Sequence, residues 1–151
     1  MMDMGLNNKT ALVTGSTKGI GKAIAIELAK EGVDVLINGR NDEEIDWVVN
    51  EIKLEFPTTC PQNATADIVD SQQRESLFKK YPNIDILVNN VGIYEIMQYE
   101  DVVDEVWEKY FRINVMSLPQ MDYLNFIYLK CLARLKNTQQ QEINSKISNP
   151  D

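Results

Sequence analysis

The chain has 151 residues, 44% hydrophobic and 25% charged, the mixture of a soluble globular domain, which allows one domain with a buried core, with or without a tail. Acidic residues outnumber basic ones 23 to 15, for a net charge of −8, the wrong sign for a nucleic-acid binder. There is no histidine, so these residues cannot form a Ser-His-Asp or Cys-His nucleophile pair or a His-bearing zinc site.

No apolar run approaches the ~20 residues of a membrane span. The start, Met1-Met2-Asp3-Met4-Gly5, lacks the basic and then apolar stretch of a secretory leader, so a cytoplasmic location without a membrane partner is expected. Cys60 and Cys131 lie too far apart for a CxxC motif and are expected as buried small hydrophobes.

Short apolar runs alternate with segments of helical period, the pattern of βαβ units and a parallel sheet. The first strand is expected at Thr10–Thr14. A helix follows, carrying Ile20, Ile24 and Leu28 and stopped at Gly32, and then a second strand at Val33–Asn38. Asn41 with Glu44 three residues on reads as an N-cap. Behind it Ile45, Val48, Val49, Ile52 and Phe56 form an apolar stripe that ends at Pro57. A weak third strand over Gln62–Ala66, a short helix over Asp70–Lys80 and a strong fourth strand over Ile84–Asn89 come next.

A longer helix carries Val103, Val106, Trp107, Tyr110 and Phe111 on one face, continuing to Asn114. An amide on such a stripe must find partners, whether its role is functional or structural. Pro119 is expected to kink or end this helix, and Met121, Leu124, Tyr128, Cys131 and Leu135 suggest one more. From Asn137 the chain is polar, and residues 137–151 are expected as a loose tail behind a domain of residues 1–136. The acidic groups Asp42, Glu43, Glu44 and Asp46, and Glu100 through Glu108, read as solvated first-turn and helix-face charges, so no metal site is expected.

The stretch that carries chemistry is Thr14-Gly15-Ser16-Thr17-Lys18-Gly19-Ile20-Gly21, between the first strand and the first helix. A phosphate there meets free backbone N–H groups at a positive helix end. Gly15 permits the tight turn, Gly19 lets backbone approach a pyrophosphate, and Gly21 lets the helix sit close on the sheet. At the end of the second strand, Asn38-Gly39-Arg40 offers a guanidinium where an acid would instead accept from a ribose 2′-hydroxyl. Arg40 can fork onto a phosphate, with Lys18 as a second charge. The alternatives are that both are solvated surface charges, or that Asp42 serves as the ribose acid.

The T-G-x-x-x-G-x-G spacing resembles that of the short-chain dehydrogenase/reductase family, over residues of about 8 to 117. Asn89-Asn90-Val91-Gly92 is similar to the family's N-N-A-G element, Asp67 to the Asp that faces the adenine amino group, and Asn114 to the helix Asn of its catalytic tetrad. The resemblance implies a Rossmann-like α/β fold, the first half of a doubly wound parallel sheet of order 3-2-1-4. It implies a dinucleotide held by Gly15, Ser16, Thr17, Lys18, Gly19, Ile20, Gly21, Arg40, Asp67, Ile68, Asn90, Val91 and Gly92, and NADP(H) over NAD(H), because in the family basic residues at the places of Lys18 and Arg40 go with NADP. It also implies hydride transfer with a small carbonyl or alcohol substrate. The family's proton donor is a Tyr with a Lys four residues on, and none of the six tyrosines has one. Ser145 does not match the family's Ser. A shortened reductase is therefore expected, with a nucleotide-binding module, a partner subunit or an inert fragment as alternatives. Without a fifth strand the fourth would be an apolar edge, expected to be covered by residues 120–136 or by self-association, through it or through the long helix.

Overall fold

The computed structural model describes residues 5–98, 100 and 102–126. Its centre is a four-stranded parallel sheet of β1 (Thr10–Val13), β2 (Asp34–Ile37), β3 (Gln62–Asn63) and β4 (Ile86–Val88), in the order β3-β2-β1-β4. That is the expected 3-2-1-4 arrangement of a Rossmann-like half. Leu12 is in register with both Leu36 and Leu87, so side chains of like parity share a face across the sheet.

The apolar patterns follow from that parity. Ala11, Val13, Val35 and Ile37 face α1 (Gly19–Lys30) and α2 (Asp42–Glu55), which bury Ala25, Ala29, Ile45, Val48 and Ile52 against them. Leu12 and Leu36 point to the other face, where α3 (Ser71–Lys80) brings Leu77 and Phe78. Fully buried strands sandwiched between helix layers need not alternate, which explains the continuous apolar runs. The caps are also local chemistry. The Asn41 carboxamide oxygen accepts from the N–H groups of Glu43 and Glu44, and the Asp70 carboxylate from those of Gln72 and Gln73. Gly32, at φ +81°, closes α1.

The labelled strands are shorter than the sequence suggests, but the ladder is not. Ala64 N–H donates to the Ile37 carbonyl and Ala66 N–H to that of Gly39, while Asp85 N–H donates to Thr10. Residues 62–66 and 85–88 thus run beside their neighbours beyond the regular strands.

The structure corrects the reading of Cys60 and narrows those of the longer helix and Pro119. Cys60 is exposed: its N–H is taken by Asp34 Oδ1 in the loop before β3, and its neighbours Thr59 and Pro61 occupy the buried positions. The face of α4 (Asp104–Phe111) is not core, since α4 buries no residue and Trp107 is 60% exposed. Pro119 does not end the helix. A π-helical turn, Arg112–Met116, follows α4, and residues 117–126 continue as helix. The wide turn contains Val115, whose carbonyl would be the partner of the N–H that Pro119 lacks.

Beyond this turn Met121 is fully buried with Leu12, Leu36 and Phe78, Leu124 packs on the same cluster, and Asn89 donates to Asp122 (2.9 Å). The described part of residues 120–136 therefore lies on a sheet face, beside the half-buried edge strand β4. Tyr128, Cys131, Leu135 and the polar tail 137–151 fall outside the described residues.

One polar residue joins the sheet to the loops above it. Asn38, directly after β2, is 1% exposed. Its Nδ2 donates to the Ala64 (2.8 Å) and Ala66 (3.2 Å) carbonyls, its Oδ1 accepts from Gly15 N–H (3.4 Å), and its N–H donates to Ser16 Oγ (2.9 Å).

Asn38→Leu removes the donor from two carbonyls, at about 1–3 kcal/mol for each one stranded, and lowers the urea midpoint accordingly. Met121→Ala opens a cavity and costs about 2–5 kcal/mol; an unchanged midpoint would mean that residues 117–126 are not part of the cooperative core.

Candidate functional site

The sheet's carboxyl end carries the loop between β1 and α1. Ser16 Oγ donates to the Val13 carbonyl (2.7 Å) and Ser16 N–H to that of Asn38 (2.8 Å), which folds the loop back on the strand that made it. Thr14 Oγ1 donates to the Val88 carbonyl (3.2 Å) and accepts from Asn90 N–H (2.9 Å) and Val91 N–H (3.2 Å). Asn90 Nδ2 donates to the carbonyls of Thr14 (3.0 Å) and Gly15 (3.1 Å). The glycine turn is thus clamped from one side by the chain after β2 and from the other by the chain after β4.

The clamp explains Gly21. A Cβ there would collide with the Gly15 carbonyl and with Asn90 Nδ2, so only glycine lets α1 start this close to the sheet. Gly19 differs: its φ is +58°, and a Cβ would project into space with nothing within 4 Å. The loop backbone is open on that side. Helix α1 begins with no side-chain cap at Lys18 and no acid in its first turn, so its positive end is not offset by a side chain of its own, the arrangement that suits an anion.

Lys18 and Arg40 are exposed on the rim of this mouth, and neither side chain has a hydrogen bond or ion pair among the described residues. The two segments touch through Thr17, whose methyl would lie 2.8 Å from a Cβ on Gly39. Asp42 is engaged elsewhere. Its Oδ1 accepts from Thr65 Oγ1 and from Asn63 Nδ2 (3.1 Å), bonds that hold its carboxyl below the ordinary carboxylate range.

The turn after β3 is fixed by α3. Asp67 N–H donates to Gln73 Oε1 (2.9 Å), Asp67 Oδ1 accepts from Val69 N–H (3.0 Å), and Ile68 is buried. Arg74, only 7% exposed, donates through Nη1 to the Ile68 carbonyl. Burial lowers the pKa of its guanidinium, partly offset by the charge of Asp70.

Asn114 sits in the π-helical turn, half-buried. Its Oδ1 accepts from Ile93 N–H and its Nδ2 donates to the Ile93 carbonyl, both at 2.8 Å. Both ends of the amide are spent on the main chain beyond Val91 and Gly92, so the polar residue on the apolar stripe is satisfied. A π-turn inside a helix is a common mark of a functional position.

All the sequence-derived binding residues therefore line one end of the sheet, from Gly15–Gly21 through Arg40, Asp67–Ile68 and Asn90–Gly92, with Asn114 behind the last of them. Two residues with a structural hand in the site, Asn38 and Arg74, escaped the sequence reading. Asn38 stood inside a strand end quoted only for Arg40, and a lone Arg on a helix carries no mark of burial.

A profile of the short chain dehydrogenase family matches residues 9–129. The oxidoreductase YvaG of Bacillus subtilis is 46% identical over 116 residues, which cover 77% of this chain and 44% of YvaG. The L-sorbose reductase of Gluconobacter frateurii, solved in complex with NADPH and L-sorbose, aligns with a TM-score of 0.79 at 27% identity, over 86% of this chain and 51% of that one. YwfH, an NADPH dependent reductase involved in bacilysin biosynthesis, aligns at 0.73 and 26%, over 79% and 52%. The chain thus spans about half the length of these relatives. The sheet order, the clamped glycine turn and the family match over residues 9–129 agree: the chain belongs to the short-chain dehydrogenase family.

Proposed function

We propose that these residues bind NADP(H) for a short-chain oxidoreductase that exchanges a hydride between the nicotinamide and a small carbonyl or alcohol substrate. The observation that carries this reading is the open glycine mouth of α1, with its uncapped amides and two unpartnered cations on the rim. Gly15, Ser16, Thr17, Gly19, Ile20 and Gly21 hold the pyrophosphate, and Arg40 with Lys18 takes the 2′-phosphate. Asp67 and Ile68 receive the adenine, the Asp67 oxygen not bonded to Val69 accepting from the amino group. Asn90, Val91 and Gly92 line the ribose side, and Asn114 positions that loop through Ile93.

The bound nucleotide supplies the hydride; this chain supplies its grip and orientation. The NADPH carried by the sorbose reductase and named for YwfH supports the choice of phosphate. Asp42 is committed to Thr65 and Asn63, which disfavours it as a ribose acid. The proton donor of the reaction is a separate matter, since no Tyr here has a Lys four residues on. Binding is therefore the proper test.

In calorimetry, NADPH binds at least ~10-fold more tightly than NADH, and Arg40→Ala removes most of that preference while leaving NADH affinity within about twofold. Heat from neither nucleotide on folded protein would end the reading. We also propose that the exposed apolar side chains of Val103, Trp107 and Phe111 pack against a second copy of the chain. Sedimentation equilibrium then shows a dimer that Trp107→Glu dissociates; a monomer at every concentration would contradict it.

A further inference from the structure

Arg74 is the one charged residue among the buried described residues, and its place on α3 has no role in the reading above. An apolar side chain would fill a buried helix position without the cost of desolvating a guanidinium. Its Nε even lacks a partner. The bond it does make goes to the Ile68 carbonyl, in the peptide whose Val69 N–H donates to Asp67 Oδ1. From the adjacent position on α3, Gln73 Oε1 takes the Asp67 N–H. One end of the turn is thus held by its amide and the other by its carbonyl, from two successive residues of a helix that Asp70 caps. Within the turn, Val69 N–H holds Asp67 Oδ1 and so sets the direction of the second carboxylate oxygen.

We propose that Arg74 is a positioning residue for adenine recognition: by fixing the Ile68 carbonyl it holds Asp67 where its free oxygen reads the 6-amino group of the base. This rests on the nucleotide site proposed above. A residue that merely stabilised the fold would affect every nucleotide alike. A residue that aims Asp67 affects the base specifically, because hypoxanthine presents an oxygen where adenine presents an amino donor, and a carboxylate repels it.

The test compares NADPH with its hypoxanthine analogue, deamino-NADPH, by calorimetry on the full 151-residue chain. Wild type prefers NADPH by about 10-fold, the size of a charge-assisted hydrogen bond. Arg74→Met, close in length but without donors, brings that ratio to within about twofold of unity, whereas Arg74→Lys, which keeps a donor, retains most of it. Gln73→Leu, on the exposed side of α3, lowers the ratio with Arg74 intact and serves if Arg74→Met does not fold. An Arg74→Met protein that binds both nucleotides more weakly but at the wild-type ratio overturns the proposal, as does a Gln73→Leu protein with that ratio where Arg74→Met cannot be measured. A wild type that binds NADPH without preferring adenine also overturns it, while leaving the nucleotide site standing. A wild type that binds neither overturns both.

Discussion

The candidate site depends on one buried amide. Asn38 uses both ends of its carboxamide and its backbone N–H and carbonyl, and every partner lies on a segment that the chain reaches separately: Gly15 and Ser16 after β1, Ala64 and Ala66 beside β3. In a parallel sheet no tight turn joins neighbouring strand ends, because each connection crosses over through a longer segment, usually a helix. A buried polar residue with all its partners present is therefore an effective joint, and with any partner missing a costly one. Thr14 and Asn90 repeat the arrangement between β1 and β4. The glycine turn is held by both of its neighbours, so an anion bound there would meet amides already ordered.

Two cations at the same end are left without a described ion pair. The chain is acidic overall, yet residues 1–40 carry five basic and four acidic groups, against five and 16 over residues 41–110. Most of the lysines with a described partner are matched to an acid, as Lys22 is to Glu51 (2.7 Å) and Lys79 to Glu75 (2.8 Å). Lys18 and Arg40 stand apart from these pairs. Positive groups left unmatched at the mouth of an acidic protein concentrate the field where a polyanion would enter, and their effect falls as salt rises.

How much of this was legible in the sequence depended on how local the cause was. Helices α1, α2 and α3 follow from caps and periodicity written within a few residues, and the sheet order from the alternation of runs and the family resemblance. The glycine turn was legible because its residues are contiguous. Asn38 and Arg74 were not, because burial is a property of what folds around a residue, and nothing beside Arg74 in sequence announces it. Cys60 is the same case in reverse: its small apolar side chain suggests burial, but in the loop before β3 it is Thr59 and Pro61 that turn inward. The stripe of α4 obeyed its period, but a period says only that a face exists, not that something lies against it.

The π-helical turn at Arg112–Met116 shows how a small irregularity divides a helix into two tasks. A wide turn takes in about one residue more than an α-turn, and each residue of a helix advances about 100° around the axis. Every position past Met116 is accordingly rotated by roughly a quarter of a circle from where an unbroken helix would carry it. Upstream, Trp107 and Phe111 look to solvent; downstream, Met121 meets Leu12 and Phe78 in the core, and Asn114, at the seam, is left to grip Ile93. Deleting a single residue from the seam would restore an even winding and leave Met121 on the same side, because the residue removed and the turn narrowed cancel; it is even winding at the present length that would swing Met121 off the sheet.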